Sequence, residues 1–241
     1  MAPAKQNSKS TVSVPILDIK PPRQAHTFVV IKGITPLVMH KFGELARDGI
    51  EQDQGFEGKK PKVRKARNIE QDYAECFHYL PGYGPNDSKL RYAFPANGMK
   101  QAMIAALREV DGITMTLGKQ LFFVSGHEPG PGREFMEIFG IPEMRRDVVR
   151  LKGANGGTMD LRYRPYFWPW SGIFRLRWNG DLLSLETILN LVARAGQSVG
   201  IGDRRPGKEG SEFGQFEISQ AASELDDLSI FATKTKTKKG R

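Results

Sequence analysis

A chain of 241 residues that is 39% hydrophobic and 26% charged holds enough apolar material for one substantial core, and its length fits one elaborated domain better than two. With 36 Lys and Arg against 27 Asp and Glu, the formal charge of +9 and a pI near 9.6 concentrate polyanions around the protein, nucleic acid foremost. The single cysteine, Cys76, excludes an internal disulfide and a cysteine-based zinc cluster, which fits a reducing cytoplasm.

Residues 1–23 are polar and proline-rich and read as a flexible segment, with neither the apolar run of a signal peptide nor the roughly 20 apolar residues of a membrane span. The β-branched and aromatic run from Thr27 to Ile31, followed by Gly33 and Pro36, predicts a strand leaving through a turn. "FPANGMKQAMIAALREV" predicts a helix with Asn97 as its N-cap and Met99, Met103, Ala106, Leu107 and Val110 on one stripe. A second strand is expected at "KQLFFVSG". In "SGIFRLRWNG" the imperfect alternation of Ile173, Leu176 and Trp178 with Arg175 and Arg177 predicts a strand with one wetter, basic face. "LSLETILNLVARAG" reads as a helix whose start is flanked by Ser184 and Thr187, with Leu185, Ile188, Leu189 and Val192 as its apolar stripe and Gly196 as its stop. "GQFEIS" reads as a last strand, and residues 221–241, ending in "TKTKTKKGR", as a flexible basic tail.

The order strand, helix, strand, strand, helix, strand is that of an α+β, ferredoxin-like domain, here spanning residues 24–220. Such a sheet leaves one face open, although the aromatic pattern of the usual RNA-recognition motif is absent from these strands. Two long insertions interrupt the order, at about 41–91 and 128–170. The first holds "KKPKVRKAR", where Lys59, Lys60, Lys62, Arg64, Lys65 and Arg67 form either a phosphate track or a solvated loop. The second predicts a β-hairpin, a thumb on the palm, with Val148, Val149 and Leu151 before the tip "GANGG" and Met159, Leu161 and Tyr163 after it. Arg145, Arg146, Arg150, Lys152, Arg162 and Arg164 line its arms, with Tyr163, Tyr166, Phe167, Trp168 and Trp170 nearby. Cations with interleaved aromatics suit single-stranded nucleic acid, unless the aromatics serve to anchor the hairpin.

The stretch "VGIGDRRPGKEGSEFGQFEIS" follows a helix and precedes a strand, the reverse of a nucleotide-binding glycine loop, so no nucleotide cofactor is expected. Together with "VIKGITPL" and "FPANGMKQAMIAAL" it resembles the repeat-associated RNA-binding superfamily of CRISPR systems, in particular the backbone subunits that coat guide RNA in effector complexes. In "PANGMKQA" the family's turn-and-helix element is matched at Pro95, Gly98 and Lys100, while Asn97 and Gly98 stand where that family more often has serines. Through "YLPGYG", "FPANGMKQAM", "LRYRP" and "VGIGDRRP" the chain is also similar to small uncharacterised phage and prophage proteins. The resemblance implies a ferredoxin-like palm with a hairpin thumb, subunits stacked head to tail, partner effector subunits, and a single-stranded RNA followed along its backbone. It implies RNA contacts at Asn97 and Lys100, and at Gly200, Gly202, Arg204, Arg205 and Lys208 of the glycine-rich loop.

Three functions follow. The first is a non-catalytic, self-stacking RNA-binding subunit of a CRISPR-like ribonucleoprotein, possibly carried by a phage or mobile element. The second is a phage single-stranded-DNA binding or annealing protein, and the third an RNA-processing endonuclease. Cleavage would fall to His40 and Asp48, since histidine suits proton transfer near neutral pH. His26, His40, His78 and His127 have no metal-ligand spacing, so no metal is expected.

Overall fold

The computed structural model describes residues 19–41, 43, 51, 68–150 and 159–222. Its elements are β1 (Gln24–Gly33), β2 (Leu37–Val38), α1 (Ile69–Glu75), β3 (His78–Tyr79), β4 (Tyr92–Pro95), α2 (Ala96–Ala106), α3 (Met115–Leu121), β5 (Phe122–Ser125), β6 (Phe135–Arg150), β7 (Met159–Asn179), α4 (Leu185–Arg194), α5 (Pro206–Glu209) and β8 (Phe216–Ala222). The architecture is α+β, an eight-stranded antiparallel sheet with a few helices.

β7, 21 residues long, organises the sheet. Its second half pairs on one side with β1, from Ser171↔Lys32 to Asn179↔Gln24. On the other side it pairs with β5, from Trp178↔Phe122 to Arg175↔Ser125, and then with the start of β6 at Ile173↔Glu137. β8 extends the sheet beyond β1, so the strands run β8-β1-β7-β5, antiparallel at every step. β4 and β3 extend it beyond β6. The first half of β7 continues as a hairpin with β6, from Phe167↔Pro142 to Met159↔Arg150, while β2 pairs with Tyr166 and Phe167 on its opposite edge. The second arm of the hairpin and the basic strand expected from the sequence are therefore one uninterrupted strand, β7.

Alternation along β1 and β7 gives the sheet two unlike faces. Val29, Ile31, Phe174, Leu176 and Trp178 pack with Met99 and Met103 of α2 and Ile188 and Val192 of α4 in the main core. Burying each large apolar side chain there contributes about 1.5–3 kcal/mol. Val30 and Ile173 belong to a separate small cluster with Phe28 and Phe139 on the other face.

α4 starts where expected, with the Ser184 hydroxyl accepting from the Thr187 N–H at 3.1 Å. Three boundaries differ from expectation. α2 begins at Ala96 behind Pro95, without a side-chain cap, and Asn97 lies inside its first turn. Pro95 occupies the N-cap position with ψ 121, and having no side-chain acceptor it leaves the first-turn N–H groups without a side-chain cap. Lys119 to Leu121 belong to α3, which Thr114 caps by accepting from the Leu117 N–H, so the second strand starts only at Phe122. The turn after α4 runs past Gly196 through Ala195–Val199 to Gly200, because Gly196 is needed where it lies against the Phe216 carbonyl.

Phe174→Ala is expected to lower the free energy of unfolding by about 3–5 kcal/mol, since the ring is fully buried. Phe123, 46% exposed on the opposite face, should tolerate the same change with a loss below about 1 kcal/mol. Urea denaturation of the two variants checks both values.

Candidate nucleic-acid interface

In the hairpin, Arg145 stands opposite Arg164, Arg146 opposite Tyr163, Asp147 opposite Arg162 and Arg150 opposite Met159. Because side chains alternate, Arg145, Arg162 and Arg164 share one face with Asp147 and Asp160, whereas Arg146 and Arg150 project from the other. The cations expected to line the arms as one set are thus divided between two faces.

The first face meets the glycine-rich loop. Asp203 is fixed beside β2 by its N–H, which donates to the Val38 carbonyl at 2.8 Å. Arg164, only 3% exposed, lies between Asp147 at 3.7 Å and Asp203 at 3.6 Å. Arg145 and Arg204 both donate to the same oxygen of Asp147, at 2.9 and 3.0 Å. Both guanidinium groups also stack near the Phe213 ring, at 4.9 and 5.4 Å from its centre. Lys208 donates to Asp203 at 2.8 Å, and Arg205 to the Gly202 carbonyl at 2.8 Å. Three guanidinium groups thus converge on one aspartate, with an ammonium on the next. Cations held this close repel unless anions neutralise them, and Asp147, Asp203 and Glu209, the last 3.7 Å from Arg204 and 3.9 Å from Lys208, leave one of the four positive charges uncompensated.

The loop backbone explains its sequence. Gly202 has φ +81, and a Cβ there would lie 2.5 Å from the Val38 carbonyl oxygen, so glycine lets the loop dock on β2. Gly200, also at positive φ, lies against the Phe213 and Gly214 carbonyls. The close approach at both positions is to the protein's own main chain. Arg204 adopts φ +58 with a bulky side chain, a conformation costing about 1–2 kcal/mol and held by ion pairs to Asp147 and Glu209.

His40 and Cys76 adjoin this cluster. The Cys76 Sγ is 3.5 Å from His40 Nδ1 and 3.3 Å from the Tyr163 carbonyl oxygen. Burial pushes the thiol up to about 11, against the opposing field of Arg164. Burial and then Arg164 lower the His40 pKa, so the imidazole is neutral near pH 7. The pair is a thiol beside a neutral ring, without the thiolate that nucleophilic chemistry requires.

Of the other expected residues, Asn97 and Lys100 lie in α2, where Lys100 Nζ donates to the Lys119 carbonyl and sits 4.3 Å from the centre of the Phe123 ring. Asp48, Lys59, Lys60, Lys62, Arg64, Lys65, Arg67 and Lys152 lie outside the described residues.

One cluster had no signal in the sequence because its members come from distant segments. Arg91 grips Glu137 with two hydrogen bonds of 2.8 and 2.7 Å and meets Glu128 at 2.5 Å. His127 lies 3.4 Å from Glu137. The ligand-capable atoms of His127, Glu128 and Glu137 all fall within 4.8 Å of one another, a grouping the spacing of the histidines did not suggest. The guanidinium of Arg91 supplies the positive charge between the two carboxylates.

No family model matches the chain, and no curated protein matches its sequence. Among solved structures it is similar to a chain described as "CRISPR RNA-guided surveillance complex", with 11% identity, a TM-score of 0.31, and coverage of 80% of this chain and 67% of that one. A likeness of that size carries no argument about fold or activity. Among the described residues, no helix is long and apolar enough to cross a membrane.

The Asp203 pKa is lowered: burial alone would raise it, but the hydrogen bond from Lys208 and the charge of Arg164 outweigh burial. A carboxylate shifted down on folding stabilises the native state above the ordinary aspartate value of about 3.9, and that contribution fades as pH falls through the lower folded value. Asp203→Asn should therefore be less stable than the native chain at pH 7, with the gap narrowing below about pH 4. Thermal melts of both proteins across that range measure it.

Proposed function

We propose that the chain is a non-catalytic, sequence-independent binder of single-stranded RNA that stacks head to tail with its own copies, on the plan of the guide-coating backbone subunits of CRISPR-like complexes. It works in the cytoplasm with other effector subunits, and a phage or mobile element is a fitting carrier. The strand order β8-β1-β7-β5, with α2 and α4 packed on one face, supports a ferredoxin-like palm from which β6 and β7 project as the thumb.

The observation that carries this reading is the convergence of Arg145, Arg164 and Arg204 on Asp147, with Lys208 on Asp203. Two segments that the sequence singled out separately, the hairpin and the glycine-rich loop, meet there. A phosphodiester drawn to the cluster supplies the missing negative charge, and the released counterions drive binding without regard to sequence. Arg162 and Lys208, both partly exposed, offer the outer edges of that cluster to a passing backbone.

The test uses the full chain and a labelled uridine homopolymer. Binding should weaken steeply with salt, and the combined Arg162→Ala and Lys208→Ala variant should reduce the slope of log K against log salt by about 0.7 for each phosphate that is no longer neutralised. The strand should stay full length, and protein purified without nuclease treatment should carry discrete small RNAs. An unchanged slope in the variant, together with a nucleic-acid-free preparation, would overturn the reading. Tighter binding to DNA with strand annealing would transfer it to replication or recombination.

A further inference from the structure

The sheet face opposite the helices carries its own ordered set of side chains. Its registers place Phe123 beside Arg177, and Arg177 beside His26, in one row across β5, β7 and β1. The next row holds Ser125, Arg175 and Phe28, and the one after it Ile173 and Val30. Arg175 stacks near the Phe28 ring at 5.9 Å, and Arg177 near the Phe123 ring at 5.8 Å. Lys100 reaches over the sheet edge to the Phe123 ring. Neither arginine has a carboxylate partner among the described residues, and Arg175 Nε is buried without a hydrogen-bond partner.

A lone exposed phenylalanine is ordinary on a protein surface, and a guanidinium over a ring adds only about 0.5–1 kcal/mol when exposed. The arrangement here goes further. Each ring sits with a cation, on consecutive rows of the face, and Phe28 packs against the second apolar cluster of Val30 and Ile173 with Phe139. Strand spacing and the two-residue repeat put the rings roughly 12 Å apart. That exceeds the roughly 3.4 Å rise of stacked bases severalfold, so each ring would take a different base, unstacked from its neighbour.

We propose that this open face is a base-stacking platform for single-stranded RNA, in which Phe123 and Phe28 each receive a base while Arg175, Arg177 and Lys100 meet the adjoining phosphates. The platform rests on the nucleic-acid reading above, yet shares no residue with the hairpin and loop cluster. Arg175 and Arg177 have no ion-pair partner among the described residues, and Glu137, on the same face beside Ile173, is taken up by Arg91, so the positive charge favours a polyanion over an apolar protein partner, and the exposed ring of Phe123 favours unpaired bases over duplex.

Binding is measured with the full chain, using a uridine strand and an abasic ribose-phosphate strand of equal length. The uridine strand should bind about a hundredfold more tightly, about tenfold for each ring, and Phe123→Ala should remove about tenfold of that without changing the salt slope. Phe123→Tyr should retain it. In a Phe123→Trp variant, the added fluorescence should be quenched by the uridine strand and left unquenched by the abasic one. Equal affinity for the two strands, or an unaltered affinity in Phe123→Ala, overturns the platform; reduced affinity in the Arg162→Ala and Lys208→Ala variant alone would then leave the hairpin site standing. The reverse pattern would leave the platform and remove the hairpin site. A Phe123→Asp variant that changes the oligomeric state by light scattering, with RNA affinity unaltered, would assign the face to a second copy of the chain and also overturn the proposal.

Discussion

The arrangement of hairpin, loop and β2 depends on Arg164. Its guanidinium is almost wholly withdrawn from water, and a buried charge is tolerated only beside opposite charges in good geometry. Asp147 comes from the facing hairpin strand and Asp203 from the glycine-rich loop, so satisfying one cation ties together three segments distant in sequence. Removing either aspartate would leave part of that charge uncompensated, a loss of about 3–5 kcal/mol where a buried pair is broken outright. The demanding loop geometry follows from the same constraint. Asp203 reaches Arg164 only if the chain passes tightly over Val38, and Gly202 makes that passage possible.

The same ion pairs give the cationic cluster its shape. A free arginine on a surface samples many rotamers, and ordering it on a ligand costs entropy. Here Arg145 and Arg204 are already held by Asp147 and by the Phe213 ring, so a bound phosphate would find their donors positioned in advance. Such a site trades gross attraction for order, because each aspartate that positions a cation also weakens its pull on an anion.

Much of the core was legible in the sequence. β1 was visible as a β-branched run, and α4 as an apolar helix behind Ser184, although its buried stripe takes Ile188, Leu191 and Val192 and leaves Leu185 exposed. The hairpin arms were visible as apolar and β-branched runs on either side of a glycine-rich tip, although Val148 and Met159 are exposed. The start of α2 was not, since Pro95 holds the N-cap position without a capping side chain, and local chemistry at Asn97 suggested a cap the structure does not use. Nor was the continuity of β7, where a hairpin arm and a sheet strand differ in burial but share one backbone. The pairing of Arg164 with Asp203 and of Arg91 with Glu137 left no trace, because charge partners far apart in the chain share neither spacing nor pattern. Phe28 and Phe123 were readable as strand residues, but which face they take depends on register, and one residue's slip would reverse it.

The two surfaces differ in what they are suited to bind, and the difference follows from their chemistry. At the hairpin and loop the donors are cations already engaged with aspartates, suited to a repeating phosphate that approaches without displacing them. On the open face the rings have no polar edge to read, and every base presents a π face, so stacking there is tolerant of sequence. Among the described residues, neither surface carries a cluster of Asn and Gln side chains of the kind that distinguishes one base edge from another. β7 contributes Arg162 and Arg164 to the first surface and Arg175 and Arg177 to the second, within one continuous strand. Their spacing is thereby set by backbone hydrogen bonds instead of by flexible linkage. A strand of nucleic acid that engaged both would be measured out against a fixed length of sheet, which is the property required of a subunit that repeats along a polymer.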